Sequence, residues 1–222
     1  MTKELYFKRQ IELWGIQKQE LLGEKKIAII GSGGLGSSLA LALGTSGIGE
    51  VDMVDFDKVS IHNIHRQIAF TLNDEFRYKA KVVSDLLISK NPFLKSKSFI
   101  CDFKEFSQLD KKYDLILDAT DNFKTRHQID EYSASSGIPW IYASVEEFGG
   151  QVCFFEHSRF TAFNTETNHK PAGIAAPMVM HIASLQANIA LRYLVGLPIL
   201  RDKLYHLYFD SDGDIVTKKF GI

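Results

Sequence analysis

Residues 31–37 read GSGGLGS and follow the apolar run Ile27-Ala28-Ile29-Ile30. An apolar run of strand length that opens onto glycines at 31, 33 and 36 fits G-x-G-x-x-G, the pattern in which free backbone N–H groups and a helix N-terminus wrap a phosphate. The stretch predicts a strand over 27–31, a loop, and a helix over 35–47 whose small residues Ser37, Ser38 and Ala40 allow close approach to a sheet. A second strand over 51–55, after the turn Gly47-Ile48-Gly49, ends on Asp55, where a carboxylate can accept hydrogen bonds from ribose hydroxyls. To this point NAD fits as well as an adenine mononucleotide.

Outward from this unit, strand-like apolar runs alternate with amphipathic stretches, the signature of a parallel sheet covered by helices. A helix is predicted over 75–90, with Val82, Val83, Leu86 and Leu87 on one face and Asn91-Pro92 as its stop. Strands are predicted over 98–101, 115–118 and 140–143, with a helix over 123–136 before the last. Past Gly149-Gly150 the pattern becomes antiparallel. Strands are expected over 151–156, 204–210 and 215–220, the last two joined by Ser211-Asp212-Gly213-Asp214, with a long apolar helix over 178–195 between them. The expected class is α/β: a Rossmann-like nucleotide-binding fold on a mixed sheet, parallel in its first half and antiparallel in its second, with helices on both faces. No repeat or low-complexity linker divides the chain. It reads as a single domain over 1–222, with a helical arm to about residue 24 and a nucleotide-binding half to about residue 145.

Composition excludes several function classes. With 45% hydrophobic and 24% charged residues, the 222-residue chain is ordinary globular material. A net charge of −1 provides no global field for nucleic acid or an anionic membrane, so neither partner is expected and any basic site is local. The N-terminus, MTKELYFKRQIELWG, lacks a signal-peptide apolar core, and nothing approaches the ~20 apolar residues of a membrane span; a cytoplasmic protein is expected. Cys101 and Cys153 are too far apart in sequence to suggest a redox pair and too few for a structural zinc site, so both are expected to be inert.

Five segments in order decide between the nucleotides: Phe7-Lys8-Arg9-Gln10-Ile11, GSGGLG, DFDKVSIHNIHRQ over 55–67, DATDN over 118–122, and Phe148-Gly149-Gly150-Gln151 continuing to GIAAPMVMHIASLQANIALRYLVG over 173–196. In these the chain resembles the ThiF/MoeB family of adenylyltransferases, relatives of the ubiquitin-activating enzymes, over nearly its whole length. The resemblance implies ATP and Mg²⁺. It implies that Gly31, Gly33, Gly34 and Gly36 lie against the ATP, that Asp55 holds its ribose with Asp57 also at the nucleotide, and that Asn63, Arg66 and Lys79 reach the triphosphate. Asp121 would hold Mg²⁺, with Asn122 beside it near the nucleotide, and Arg9 would act on the neighbouring subunit of a homodimer. The implied partner is a ubiquitin-like sulfur-carrier protein with a C-terminal Gly-Gly, bound by the antiparallel half over 146–222, with sulfur delivered by a separate persulfide donor. Phe148-Gly149-Gly150-Gln151 and Arg66-Gln67-Ile68-Ala69-Phe70-Thr71 look closer to the thiamine branch than to the molybdopterin branch. A non-catalytic scaffold subunit is the alternative from another class, and retention of Arg9, Asn63, Arg66, Lys79 and Asp121 argues against it.

The chemistry of these residues agrees with the resemblance. A C-terminal carboxylate, with an ordinary pKa of about 3.3 to 3.7, is already ionised at neutral pH and needs no general base to attack phosphorus. The obstacle is an anion approaching a polyanion, which positioned cations and a metal overcome; Arg9, Arg66, Lys79 and a metal on Asp121 form that set. Each residue also has a plainer reading. Asp55 and Asp121 stand at strand ends, where Asp caps turns and helices, and Arg9 and Lys79 lie in polar stretches where solvation accounts for most basic residues. His62 and His65 read as polar lining of the nucleotide loop, His181 as a core histidine, and Phe154 and Phe155 as packing.

Two departures stand out. The two Cys-x-x-Cys pairs that hold a structural zinc in many family members are missing, the first falling near 158–164, so the stabilisation such a metal contributes is expected to be absent or replaced by packing, with Phe160 and Phe163 as candidates. The loop over 167–171 has no cysteine, which removes the residue some members use for a covalent link to the activated partner.

Overall fold

The computed structural model describes residues 1–109, 111–163 and 172–222. Three short helices, α1 (Lys3–Tyr6), α2 (Lys8–Trp14) and α3 (Ile16–Gly23), form an N-terminal arm, with Gly15 at φ 84° breaking the chain between the last two. The arm docks through buried Phe7, whose ring meets that of Phe93 at a tilt, centroids 6.1 Å apart, and through Gln10 and Gln19, which both donate to the Ser46 carbonyl.

Next come β1 (Lys26–Ile30), α4 (Gly34–Gly44), β2 (Glu50–Val54), α5 (Lys79–Lys90), β3 (Ser98–Phe99), α6 (Phe103–Phe106), β4 (Leu115–Asp118) and α7 (Phe123–Ser136). The second half holds β5 (Trp140–Glu146), β6 (Gly149–Phe155), α8 (Ala176–Leu194), β7 (Lys203–Phe209) and β8 (Ile215–Gly221). One sheet in the order β3-β2-β1-β4-β5-β6-β7-β8 contains all eight strands, parallel from β3 to β5 and antiparallel from β5 to β8. The α/β class and the parallel-to-antiparallel change are those read from the sequence.

Side-chain alternation along each strand sends residues to two cores. Ile27 and Ile29 of β1 join Leu39, Leu43, Val83, Leu87, Ile182 and Ala190 beneath α4, α5 and α8. Ala28 and Ile30 join Phe103, Phe106, Ile129 and Trp140 beneath α6 and α7. Helices therefore cover both faces.

Three expectations are corrected. The helix predicted from 75 starts at Lys79, because Leu72–Asp74 form a separate turn, closed by a Thr71/Asp74 capping box, and Phe76 takes φ 64°. The short helix α6 was not anticipated; Asp102 caps it by accepting from the Glu105 N–H. His181 is exposed rather than in the core, since the inward stripe of α8 runs through Met178, Val179, Ile182, Ala183, Gln186, Ala187 and Ala190 and leaves position 181 outside. Phe154 and Phe155 are buried packing residues as expected.

The corner where the first cysteine pair was sought closes without one. Asp202 accepts from the N–H groups of Glu156, His157 and Ser158, and Ser158 Oγ donates to the Ile222 carbonyl. Asp130 pairs with Arg159 at 2.8 Å and accepts the Phe160 N–H. Fully buried Phe160 touches the rings of Trp140, Tyr142, Phe155 and Phe163. Asn164 and the stretch 167–171 lie outside the described residues.

Candidate functional site

The order β2-β1-β4 makes the C-terminal ends of β1 and β4 a topological switch point, where successive connections leave in opposite directions and a crevice opens. Two glycines allow it to close tightly. Gly31 has φ 94°, and a Cβ there would lie 2.6 Å from the Ala119 carbonyl oxygen; a Cβ on Gly36 would lie 2.0 Å from that of Gly31. The loop after β1 thus rests directly on the Ala119-Thr120 backbone after β4.

Asp55, just past β2, ties the loop to the next segment. One carboxylate oxygen accepts the Ser32 N–H at 2.6 Å and the other accepts the Asp57 N–H at 2.8 Å. Burial raises its pKa above the ordinary value, partly opposed by those two donors and by Lys79. Each oxygen keeps acceptor capacity for a hydroxyl donor. Lys79, the first residue of α5, is buried and ion-paired with Asp57 at 3.0 Å, so solvation does not account for it. Arg66 donates to Asn63 at 2.8 Å and lies 2.9 Å from a His65 ring nitrogen, while its own backbone and Cγ flank Gly34. His62 meets Ser60.

The loop region also holds polar atoms with no protein partner. Of the five such buried side-chain atoms among the described residues, Ser32 Oγ, Ser38 Oγ and Gln67 Oε1 belong to the glycine loop, the first turns of α4 and the segment against Gly33. Buried polar atoms are ordinarily satisfied, so a cluster of orphans marks a place where a ligand or water completes the bonding. A triphosphate nucleotide fits these groups: helix N-terminus and backbone N–H groups, two nearby cations, a carboxylate for hydroxyls, and unsatisfied hydroxyl and amide groups.

The loop between β4 and α7 forms the other wall. Asn122 caps α7 by accepting the Thr125 N–H, so the capping role open to Asp121 falls to its neighbour, and Asp121 is exposed. Among the described residues no three His, Cys, Asp or Glu side chains gather to hold a metal. A single exposed carboxylate suits Mg²⁺ held by one carboxylate, phosphate oxygens and water rather than a protein cage.

Sequence reasoning missed the pair beneath this loop. Asp118, fully buried, accepts from Arg126 at 3.0 Å, and burial raises its pKa against the opposing charge of Arg126. Its signal lay in the pattern of α7, where Arg126 occupies the inward stripe with Ile129 and Asp130. Orphaned Gln67 stood unremarked within the quoted 55–67 stretch, and Gln186 within 173–196.

Arg9 is not gathered with the others: its side chain is 92% exposed and, among the described residues, pairs with Glu12 on its own helix. Exposed Leu13 stands one helical turn further along α2, and exposed Leu5 lies on the preceding helix α1. A separate cleft of about 790 Å³ opens on the antiparallel half, lined by Ser144, Glu146, Phe148, Gln151, His206 and Tyr208 among others. Neither cysteine reaches these sites; burial pushes the Cys153 thiol up to about 12 and also raises that of Cys101. Among the described residues no helix is long and apolar enough to cross a membrane.

A sequence profile described as the ThiF family matches residues 7–213. The probable molybdopterin-synthase adenylyltransferase of Porphyra purpurea is 32% identical over 200 residues, which cover 84% of this chain and 52% of that protein. This chain therefore spans about half the length of that relative. The sulfur carrier protein ThiS adenylyltransferase of Escherichia coli K12 is also 32% identical, over 204 residues covering 86% of this chain and 81% of that protein. Among solved structures, PaaA superposes with a TM-score of 0.85 at 22% identity, over all of this chain and 75% of that one, a likeness of fold.

Proposed function

The chain belongs to the ThiF family, and from that premise we propose that it is an adenylyltransferase: it uses ATP to adenylate the C-terminal glycine carboxylate of a ubiquitin-like sulfur-carrier protein, releasing pyrophosphate. The observation that carries this reading is the pair of orphaned polar atoms at the switch point, Ser32 Oγ and Gln67 Oε1, beside a glycine loop that is bonded to Asp55 and flanked by Arg66, with Lys79 held at Asp57 two residues on.

In the proposed reaction Asp55 accepts the ribose hydroxyls, and the backbone of Gly33 and Gly34 lies along the phosphates. Lys79 exchanges its Asp57 partner for phosphate oxygens, and Arg66, steadied by Asn63, takes a second set. Asp121 would hold Mg²⁺, which when bound would supply positive charge to the leaving pyrophosphate. The carrier carboxylate, ionised at neutral pH, attacks the α-phosphorus directly. Its tail reaches the site from the antiparallel half. Arg9, bracketed by exposed Leu5 and Leu13, serves the site of a second copy in a homodimer, where that apolar face is covered.

The carrier we favour is ThiS-like, for thiazole formation in thiamine biosynthesis in the cytoplasm, with sulfur arriving from a separate persulfide donor. The relatives bear both pathway names at 32% identity, so this choice rests on Phe148-Gly149-Gly150-Gln151 and the 66–71 segment. The test is to incubate the protein with ATP, Mg²⁺ and either a ThiS-like carrier or the small subunit of molybdopterin synthase, and to weigh the carriers. Adenylated ThiS-like carrier is expected. Adenylation of the molybdopterin-synthase subunit alone would reassign the pathway, and adenylation of neither would remove the activity.

A further inference from the structure

The loop bearing Asp121 is anchored by a buried ion pair beneath it. Asp118 is wholly buried at the end of β4: Oδ1 accepts the Thr120 N–H at 2.9 Å and its hydroxyl at 2.6 Å, and Oδ2 accepts Arg126 Nε at 3.0 Å. Arg126 Nη2 donates to the Thr120 carbonyl at 2.7 Å and to the Ala143 carbonyl of β5 at 3.2 Å. The guanidinium lies 5.0 Å from the centre of the Tyr142 ring. Thr120 is thus gripped by its N–H, its hydroxyl and its carbonyl, one residue before Asp121. From the other face of the sheet, Gln186 donates to the Asp118 and Ile141 carbonyls.

A buried ion pair is a poor device for stability alone, because desolvation offsets the Coulombic gain and well-packed apolar residues serve as well. Its particular contribution here is orientation: a forked guanidinium ties the Asp118 carboxylate and two backbone carbonyls, those of Thr120 and Ala143, at fixed angles, which an apolar side chain cannot do. We propose that Arg126 and Asp118 are positioning residues that aim the Asp121 carboxylate at the metal accompanying ATP. Their loss then weakens Mg²⁺-dependent nucleotide binding and not merely the fold. The inference rests on the reading of Asp121 as the Mg²⁺ residue.

Two variants separate orientation from folding. Arg126→Lys keeps a cation near Asp118 but cannot reach the Thr120 and Ala143 carbonyls together. Thr120→Val keeps the shape and removes one bond to Asp118. Binding of a non-hydrolysable ATP analogue is measured by calorimetry across a Mg²⁺ series and in chelator, alongside the melting temperature. The Mg²⁺ concentration for half-maximal binding is expected to rise roughly tenfold in Arg126→Lys, the low end for loss of an outer-shell partner, and by a smaller factor in Thr120→Val. Binding in chelator is expected to stay at the wild-type level. If Asp121→Ala abolishes the Mg²⁺ dependence while the positioning variants keep the wild-type midpoint and lose only melting temperature, the inference is overturned and the metal assignment stands. If Arg126→Lys does not fold, Thr120→Val decides. If Asp121→Ala retains the wild-type Mg²⁺ dependence, the metal assignment fails and the inference with it.

Discussion

At the glycine-loop mouth Asp55 accepts the backbone N–H groups of Ser32 and Asp57; at the far corner of the sheet Asp202 accepts those of Glu156, His157 and Ser158. The two arrangements look alike and end in opposite electrostatic conditions. Burial outweighs the donors at Asp55 and raises its pKa, while at Asp202 a lighter burial penalty is outweighed by the three donors and the carboxyl is held below its ordinary value. The corner is closed on itself, with an ion pair, a carbonyl-bound serine and stacked aromatic rings. The mouth is left with orphaned Ser32 Oγ and Gln67 Oε1. Similar local chemistry thus serves stability where the surroundings complete it and, in the proposed function, ligand binding where they do not.

The comparison is tested most strongly at the mouth. If the proposed site is completed by a second copy, Arg9→Ala abolishes most adenylation, by about 10²- to 10³-fold if the arginine matters as much as a single transition-state donor. Because Arg9 is exposed and paired with exposed Glu12, the fold is expected to hold. Asp121→Ala is expected to have a comparable effect on activity. Mixed and re-equilibrated Arg9→Ala and Asp121→Ala subunits should recover part of the lost rate, since a heterodimer contains one site with both defects and one with neither. Confirmed subunit exchange without recovery sinks the trans assignment.

A change at the corner should do the reverse, lowering stability with activity per folded molecule retained. Asp202→Asn keeps the shape, and asparagine tolerates the φ of 53° at this position. Losing charge-assisted acceptance from three N–H groups is expected to cost about 2 kcal/mol near neutral pH. The depressed pKa gives the sign of the pH dependence. The wild-type advantage is fully present above the unfolded carboxyl value of about 3.9 and is lost as pH falls through the lower folded value. Denaturant titrations of both proteins from pH 7 to pH 2.5 measure it; a constant difference across that range breaks the comparison.

Most of the fold was legible because strands and glycine loops announce themselves locally. GSGGLGS after an apolar run and the change of pattern at Gly149-Gly150 each depend on a few neighbouring residues. The misses have long-range or competing causes. The start of α5 is delayed by a capping box at Thr71 and Asp74. His181 sits in a helix apolar enough to suggest full burial, but α8 packs on one side only. In the site, Asp55 with the glycine loop and Lys79 with Asp57 are drawn together by the order of the strands, and their types were recognisable. The Asp118–Arg126 pair was harder to read, since a buried arginine near the start of a polar helix has the same letter as a solvated one.

The smallest expected effect is none at all, and it bears on the corner alone. A metal there would make the aromatic and carboxylate contacts secondary, so chelation should leave the melting temperature unchanged, and elemental analysis of purified protein should find no stoichiometric zinc. Zinc needs thiolate or imidazole ligands brought close together. Cys153 is fully buried in β6 with its thiol pushed up to about 12, and Cys101 follows β3, with four strands between β3 and β6 in the sheet. Meanwhile Trp140 stacks on Phe155 at 4.8 Å with Phe160 against both, supplying through burial what a metal supplies by coordination. One zinc per chain, or a fall in melting temperature on chelation, would show that the corner is as dependent on a ligand as the mouth and would erase the contrast between them.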